Sequence, residues 1–192
     1  APRKVALSVR EEAQAFVRDH LPLLTLLANP GLKPRHWEEM EATVGHALPH
    51  GPRATLRDMV AAGLAERAAD IEETCVNASK EHSLEKALER MEGEWAPLEL
   101  ELKAHKNTGT YMLSGASVDE VQALLDDHIV KAQTMSASRF AKPLLPRIQA
   151  WIDALTEVQN VLDEWVKVQT QWLYLEPIFS SDDIMQQMPE EG

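Results

Sequence analysis

The chain has 192 residues, room for one ordinary domain or two small subdomains sharing a core. Hydrophobic residues make up 44% and charged residues 26%, a globular balance that excludes a disordered tail. Lys and Arg number 19 against 31 Asp and Glu, a formal net charge of -12, which argues against nucleic-acid or anionic-lipid binding because neither polyanion can release counterions to such a surface. The single cysteine, Cys75, leaves no partner for an internal disulfide and lies in a helical apolar series, where a buried small apolar role is expected. No apolar run approaches the roughly 18 residues that span a bilayer, and Ala1-Pro2-Arg3-Lys4-Val5 lacks the apolar core of a signal peptide. A soluble intracellular protein, or a segment cut from one, is expected.

In chain order, Ser8-Val9-Arg10-Glu11 reads as a capping box that opens a helix over 8–20. Pro22 is placed in the first turn of its continuation, and Asn29-Pro30-Gly31 ends it. Pro34 opens a short helix carrying Trp37, Met40 and Val44 that Gly45 closes. Residues 46–53 read as loop. Thr55-Leu56-Arg57-Asp58 caps another short helix that stops near Gly63. A long helix is expected over 64–95. Its apolar positions Leu64, Ala68, Ile71, Cys75 and Ala78, then Leu84, Leu88, Met91 and Trp95, alternate steps of four and three within each set. The six-residue step from Ala78 to Leu84 swings the stripe round the helix and allows a change of packing partner.

The period then changes. Leu98, Leu100, Leu102 and Ala104 alternate with Glu99, Glu101 and Lys103, which reads as a half-buried strand. Asn107-Thr108-Gly109 is a turn, and Thr110-Tyr111-Met112-Leu113 is the returning strand, closed by Gly115. A two-stranded hairpin is marginal alone, so it must lie on the helices. Ser117-Val118-Asp119-Glu120 reads as a third capping box, before a helix carrying Val121, Leu124, Leu125, His128, Ala132 and Met135. Residues 136–143 read as loop. A last long helix over 144–175 has the seam Ile148, Trp151, Leu155, Val158, Leu162, Trp165 and Trp172, with Gln169 as its polar intruder and Pro177 as its stop. A short helix over 182–188 follows. The fold class is therefore mainly α: an elongated antiparallel helical bundle with one small β-hairpin at about 98–113.

No convergent chemistry emerges. There is no Walker loop, no H-E-x-x-H, and no histidine with a Glu three residues earlier. Cys75 has no His or Cys at zinc spacing. Asp126-Asp127-His128 diverges by about 100° per residue on a helix, so it reads as two solvated acids beside a histidine at the core edge. His36 and His82 are expected as surface or cap groups. Trp151, Trp165 and Trp172 read as core packing rather than a cofactor box. The acidic run on this helix reads most simply as a solvated face; Glu81, Glu85 and Glu89 are like charges at i,i+4 that cost a little stability unless a basic partner faces them, for which another domain is one candidate. No catalytic, cofactor-binding or metal-binding residue is assigned.

Longer strings go further. Val161-Leu162-Asp163-Glu164-Trp165-Val166-Lys167-Val168-Gln169-Thr170-Gln171-Trp172-Leu173-Tyr174-Leu175-Glu176-Pro177-Ile178-Phe179, then Asp183-Ile184 and Met188-Pro189-Glu190, resembles a segment of dynein heavy chains. So do Leu21-Pro22-Leu23-Leu24 through Arg35-His36-Trp37, and Lys80-Glu81 with 84–88 and Trp95. Thr108-Gly109-Thr110-Tyr111, 124–128 and Gln133-Thr134-Met135 resemble the axonemal branch. Ser138-Arg139-Phe140 lacks a proline usual in that family, and 46–63 matches poorly.

The resemblance implies the N-proximal part of the linker, a helical rod that arches over a downstream ring of ATPase modules and delivers its power stroke in ciliary or flagellar motility. Residues 1–63 would be a short-helix subdomain of the linker. Residues 64–192 would be the long-helix bundle, approaching the bending zone at Pro177, Ile178 and Phe179. Trp151, Leu155, Leu162, Trp165 and Trp172 would form the structural seam. Leu98, Leu100, Tyr111 and Leu113 are candidates for a ring or partner contact. The segment would not be an enzyme and would carry no cofactor, whereas the parent chain would be a microtubule motor ATPase of the axoneme. Its partners would be the downstream linker half and the AAA+ ring of the same chain, with no nucleic acid and no membrane. Direct microtubule binding by this segment is not expected, because the microtubule wall is acidic too. The alternative is a non-motor helical scaffold that binds other proteins.

Overall fold

A computed structural model describes residues 2–51 and 53–187. The fold is mainly α: among the described residues there are seven α-helices, one 3-10 helix and one two-stranded antiparallel sheet. The chain divides into two compact units, Ala1–Ala87 and Leu88–Gly192.

In the first unit, α1 is Pro2–Leu27. It starts six residues before the expected cap. Nothing between Pro2 and Ser8 breaks a helix, and a proline suits the first helical position. Ser8 lies inside the helix and its hydroxyl donates to Glu12 Oε1 at 3.2 Å. Pro22 sits in the helix interior rather than in a first turn. Only the last two turns enter the core, where Leu23 is buried and Leu26 and Leu27 pack beside it. Helix α2 (Pro34–Val44) ends at Gly45, whose φ of +88° is the left-handed cap that glycine adopts without strain. Arg67 donates to the last carbonyl of the helix, Val44 O, at 2.6 Å. Helix α3 (Leu56–Ala61) carries the expected capping box: Asp58 N donates to Thr55 Oγ1 while Thr55 N donates to Asp58 Oδ2.

Helix α4 (Ala68–Trp95) begins four residues later than periodicity suggests, because Leu64 is buried from a turn rather than from the helix. Its Ile71 and Cys75 join Leu23, Met40, Val44, Leu48, Met59 and Leu64 in the first core. Cys75 has the expected apolar role: its Sγ lies 3.9 Å from Met40 Sδ, and burial, reinforced by Glu72, pushes the thiol up to about 11. The Asn29-Pro30-Gly31 turn is fastened to the same helix. Asn29 Nδ2 donates to Cys75 O at 2.7 Å and to Ser79 Oγ at 2.8 Å, while its Oδ1 accepts from Gly31 N. The backbones approach so closely there that a Cβ on Gly31 would meet Ala78 O at 2.4 Å, so only glycine fits.

The acidic ladder on α4 finds its basic partners at the start of α2, within the same unit. Lys33 Nζ meets Glu85 Oε1 at 2.8 Å, Arg35 pairs with Glu81, and His36 Nε2 lies 3.0 Å from Glu81 Oε2. His36 is a cap group as expected but is buried. Its Nδ1 accepts from Lys33 N at 3.0 Å, which leaves Nε2 to donate to Glu81.

In the second unit, the last turns of α4 bury Leu88 and Met91, and Trp95 packs on a second core of Leu113, Val118, Val121, Leu125, Leu155 and Leu162. The expected change of packing partner along α4 is thus present. The hairpin is β1 (Leu102–His105) and β2 (Thr110–Leu113), with Leu102 opposite Leu113 and His105 opposite Thr110. The first strand is shorter than expected, so Leu98 and Leu100 lie outside it. Continuing the register would set Leu100 opposite Gly115, which is already helical. Helix α5 (Gly115–Ser136) has Ser114 as N-cap, three residues before the expected box. Ser117 Oγ instead accepts from Glu101 N at 3.0 Å. His128 is not at the core edge but fully buried: Nδ1 accepts from Trp95 Nε1 at 2.9 Å, and Nε2 donates to Glu94 at 3.1 Å. Asp126 and Asp127 point apart, to Gln159 and Lys131.

The expected loop at 136–143 holds a 3-10 helix, Arg139–Leu144, with Ala141 and Leu144 buried. Helix α6 (Leu145–Phe179) runs through Pro177, which does not stop it. A proline removes its own N–H and crowds one carbonyl, but the next residues can still bond, as Ser180 N does to Glu176 O at 2.9 Å. Helix α7 (Asp182–Gln187) ends the described chain. Met188, Pro189, Glu190 and Glu191 lie outside the described residues.

Candidate functional site

Helix α6 carries two parallel apolar stripes. One is turned inward: Ile148, Leu155 and Leu162 are buried and Ile152, Val166 and Leu173 half-buried, with Gln159 and Gln169 in its two seven-residue gaps, and Leu155, Leu162 and Val166 pack on the second core. The second is Ala154, Val158, Val161, Trp165, Val168, Trp172, Leu175 and Phe179, also at alternating steps of four and three. Except for half-buried Trp172 it is exposed, reaching 49% at Trp165 and 60% at Val168.

The expected seam drifts from one stripe to the other. Leu155 and Leu162 are core residues, and Trp151 is half-buried with its ring 6.3 Å from Trp95. Trp172 is half-buried against His105, with ring centroids 5.2 Å apart. Trp165 stands out from the core, and Val166 packs there instead. Val161, Val168 and Leu175 are absent from the expected seam. Their signal is in the sequence all the same, as a second series with helical period and too many apolar positions for one face.

Two hollows flank Trp165. One of about 400 Å³ is lined by Leu100, Val121, Ala154, Glu157, Val158, Val161, Leu162 and Trp165. The other, of about 190 Å³, lies between β2 and α6, against Thr110, Tyr111, Met112, Val168, Gln169 and Trp172. Of the hairpin residues expected at a contact, Leu98, Leu100 and Tyr111 are exposed, and Leu113 is occupied in the core.

The hairpin is held onto α6 by polar groups. Gln169, the polar intruder, accepts from Leu113 N at 2.7 Å and donates to Leu113 O at 3.2 Å. It thereby supplies what a third strand would give the open edge of β2. At the hairpin turn, Lys106 Nζ lies 2.6 Å from Glu176 Oε2, with His105 Nε2 at 3.6 Å from the same oxygen. Hydrogen bonding and charge from Lys106, aided by His105, hold the Glu176 carboxyl below the usual range. Pro177, Ile178 and Phe179 follow at once. Ile178 and Phe179 are exposed, and the helix gives way to a turn at Ser180.

Among the described residues, no group of three or more His, Cys, Asp or Glu is placed to hold a metal ion. No described helix is long and apolar enough to cross a membrane. The arrangement is that of a packed helical element with an uncovered apolar face and acidic residues, Glu157 and Glu164, along one rim.

The family described as "Dynein heavy chain, N-terminal region 2" matches residues 1–192. Dynein axonemal heavy chain 3 of Mus musculus is 41% identical over 192 residues, covering 100% of this chain and 5% of that protein. Dynein axonemal heavy chain 12 of Homo sapiens is 48% identical over 161 residues, covering 84% of this chain and 5% of that protein. Dynein axonemal heavy chain 1 of Homo sapiens is 40% identical over 192 residues, covering 100% and 4%. The chain spans about 5% of the length of the curated relatives it matches. The match over the whole chain, on a mainly α fold with a single hairpin, places it in a family: the chain belongs to the N-terminal region of axonemal dynein heavy chains.

Proposed function

We propose that this segment is the N-proximal part of the linker of an axonemal dynein heavy chain, which carries the power stroke of an ATP-driven ring encoded further along the same polypeptide. The observation that carries the reading is the family match over all 192 residues. The architecture supports it. The 35-residue helix α6 packs through buried side chains and is fastened to the hairpin by the Gln169 and Glu176 contacts, and it resists shear because close-packed interiors deform little. On this reading the segment works in the axoneme of a cilium or flagellum. It turns over no nucleotide, holds no cofactor and does not touch the microtubule. Its partners are the downstream linker half and the AAA+ ring. The exposure of Leu98, Leu100 and Tyr111 supports such a contact, and the break after Pro177, Ile178 and Phe179 suits the approach to the bending zone, since hinges often lie at element ends. The scaffold alternative accounts for the stripes but has no observation of its own beside the family match.

The test is the full-length heavy chain with and without residues 1–192, assayed for ATP turnover and for microtubule gliding. ATPase should persist while gliding velocity falls by about tenfold or more, because force generated in the ring no longer reaches the anchored end. Gliding at full speed without the segment would remove the reading.

A further inference from the structure

We infer that the free edge of β1 is a strand-addition site, which takes an extended segment of a separate polypeptide whose apolar residues alternate with Lys or Arg. The inference goes beyond the linker reading and does not depend on it. Register fixes which backbone groups are free. Ser114 N donates to Glu101 O at 2.8 Å, which continues the ladder by one bonded pair beyond Leu102 and Leu113. Bonded and non-bonded pairs alternate in an antiparallel ladder. Leu102 with Leu113, and Ala104 with Tyr111, are therefore non-bonded pairs whose N–H and C=O groups point outward. The two bonds between Leu113 and Gln169 agree with that parity, because they lie on the outer edge of β2.

A side chain thus closes the edge of β2. On β1 the outward groups of Leu102 and Ala104 have no partner among the described residues, and no proline interrupts 98–105. The side chains tell the same. Leu102 stands on the face of its cross-strand neighbour Leu113. Leu113 is 4% exposed and Leu102 is 54% exposed. The apolar face of the sheet is covered at β2 and bare at β1, as in a sheet short of one strand. Leu98 and Leu100 continue the bare row at steps of two.

The chemistry of the occupant follows. Donors and acceptors that recur every second residue, about 7 Å apart, match another extended backbone. Its side chains beside Leu102 and Ala104 must be apolar. Those between them meet the row of Glu99, Glu101 and Lys103, two acids to one base, with Lys103 already 3.4 Å from Glu101. Lys or Arg on the visitor gains there, and Asp or Glu loses. The neighbouring chain offers no third strand, since α4 precedes the hairpin and every element from Gly115 to Gln187 is helical. A second copy would bring its own net charge of -12 against this one. A separate basic segment meets neither obstacle.

The test uses the full-length heavy chain in axonemes, with a photo-reactive side chain at Lys103. By the same parity the Lys103 backbone faces β2, so this substitution leaves the open edge intact. The cross-linked peptides are sequenced. The expected product is a link to another polypeptide, at a segment where apolar residues alternate with Lys or Arg. An excess of a synthetic peptide of alternating lysine and valine should suppress the link by about tenfold or more, because it offers the same backbone. The same peptide N-methylated at its valines keeps the side chains and loses the donors, and it should leave the link unchanged. Adding Ala104→Pro, which removes one outward N–H and no bond to β2, should abolish the link. A link to another part of the same heavy chain, a link to a second copy, no link at all, or equal suppression by the N-methylated peptide would each overturn the inference. Gliding is not read in any of these, so strand addition and the power-stroke reading fail separately.

Discussion

Gln169 shows how one side chain can decide where an element sits. A two-stranded sheet leaves one edge of each strand without partners, and Leu113 on β2 is buried, where unpaired backbone groups are costly. The Gln169 amide offers one donor and one acceptor at strand spacing and satisfies both groups. Gln169→Leu keeps the volume and removes both bonds. It should lower stability by about 1–3 kcal/mol, read by chemical denaturation, and it should speed amide exchange at Leu113. Unchanged exchange at Leu113 would show that the clasp does not hold the strand. His128 is a second case. With Nδ1 accepting from Trp95 and Nε2 donating to Glu94, the imidazole bridges α4 and α5 inside the core. Both residues were visible as anomalies of a helical pattern, a polar intruder and a lone histidine. Their bonding partners lie 56 and 33 residues away, and no local rule reaches that far.

Among elements, the hairpin and the end of α6 form one fastening. Glu176 accepts from Lys106 at the hairpin turn, and its carboxyl is held below its usual value of 4.5. A depressed folded-state value means the contact stabilises above the unfolded value and loses its effect as pH falls through the folded one. Amide exchange across 105–110, corrected for its intrinsic pH dependence, should therefore rise on acidification below 4.5. In Glu176→Gln it should be raised at neutral pH and should not rise further on acidification. A flat profile in the unsubstituted protein would show that the ion pair does not hold the turn. Element existence was legible: every expected helix is present, and β2 has its expected bounds. Starts and stops were not. Two of three capping boxes lie inside helices, since Ser8 and Ser117 follow residues that are themselves helical. Pro177 is tolerated because it falls in the last turn of α6. β1 is short because β2 ends at Leu113, where α5 takes over the chain.

At the scale of the whole segment, charge and composition give the clearest expectation. A surface with a net charge of -12 should not bind the acidic microtubule wall, and counterion screening only weakens an already unfavourable contact. The purified segment should therefore fail to sediment with microtubules at low salt and should show no ATP turnover. Sedimentation that resists added salt would contradict its assignment to the linker. What the sequence determined by itself was the mainly α class, the single hairpin, the apolar role of Cys75 and the family, because periodicity, turn chemistry and long ordered strings are local properties of the chain. Tertiary structure alone decided which of the two stripes on α6 meets the core and which stays exposed. It also decided that Lys33 and Arg35 answer Glu85 and Glu81. The physical reason is the same in both cases: period and charge specify what a face needs, while the identity of its partner depends on which distant residues the fold brings within a few ångströms.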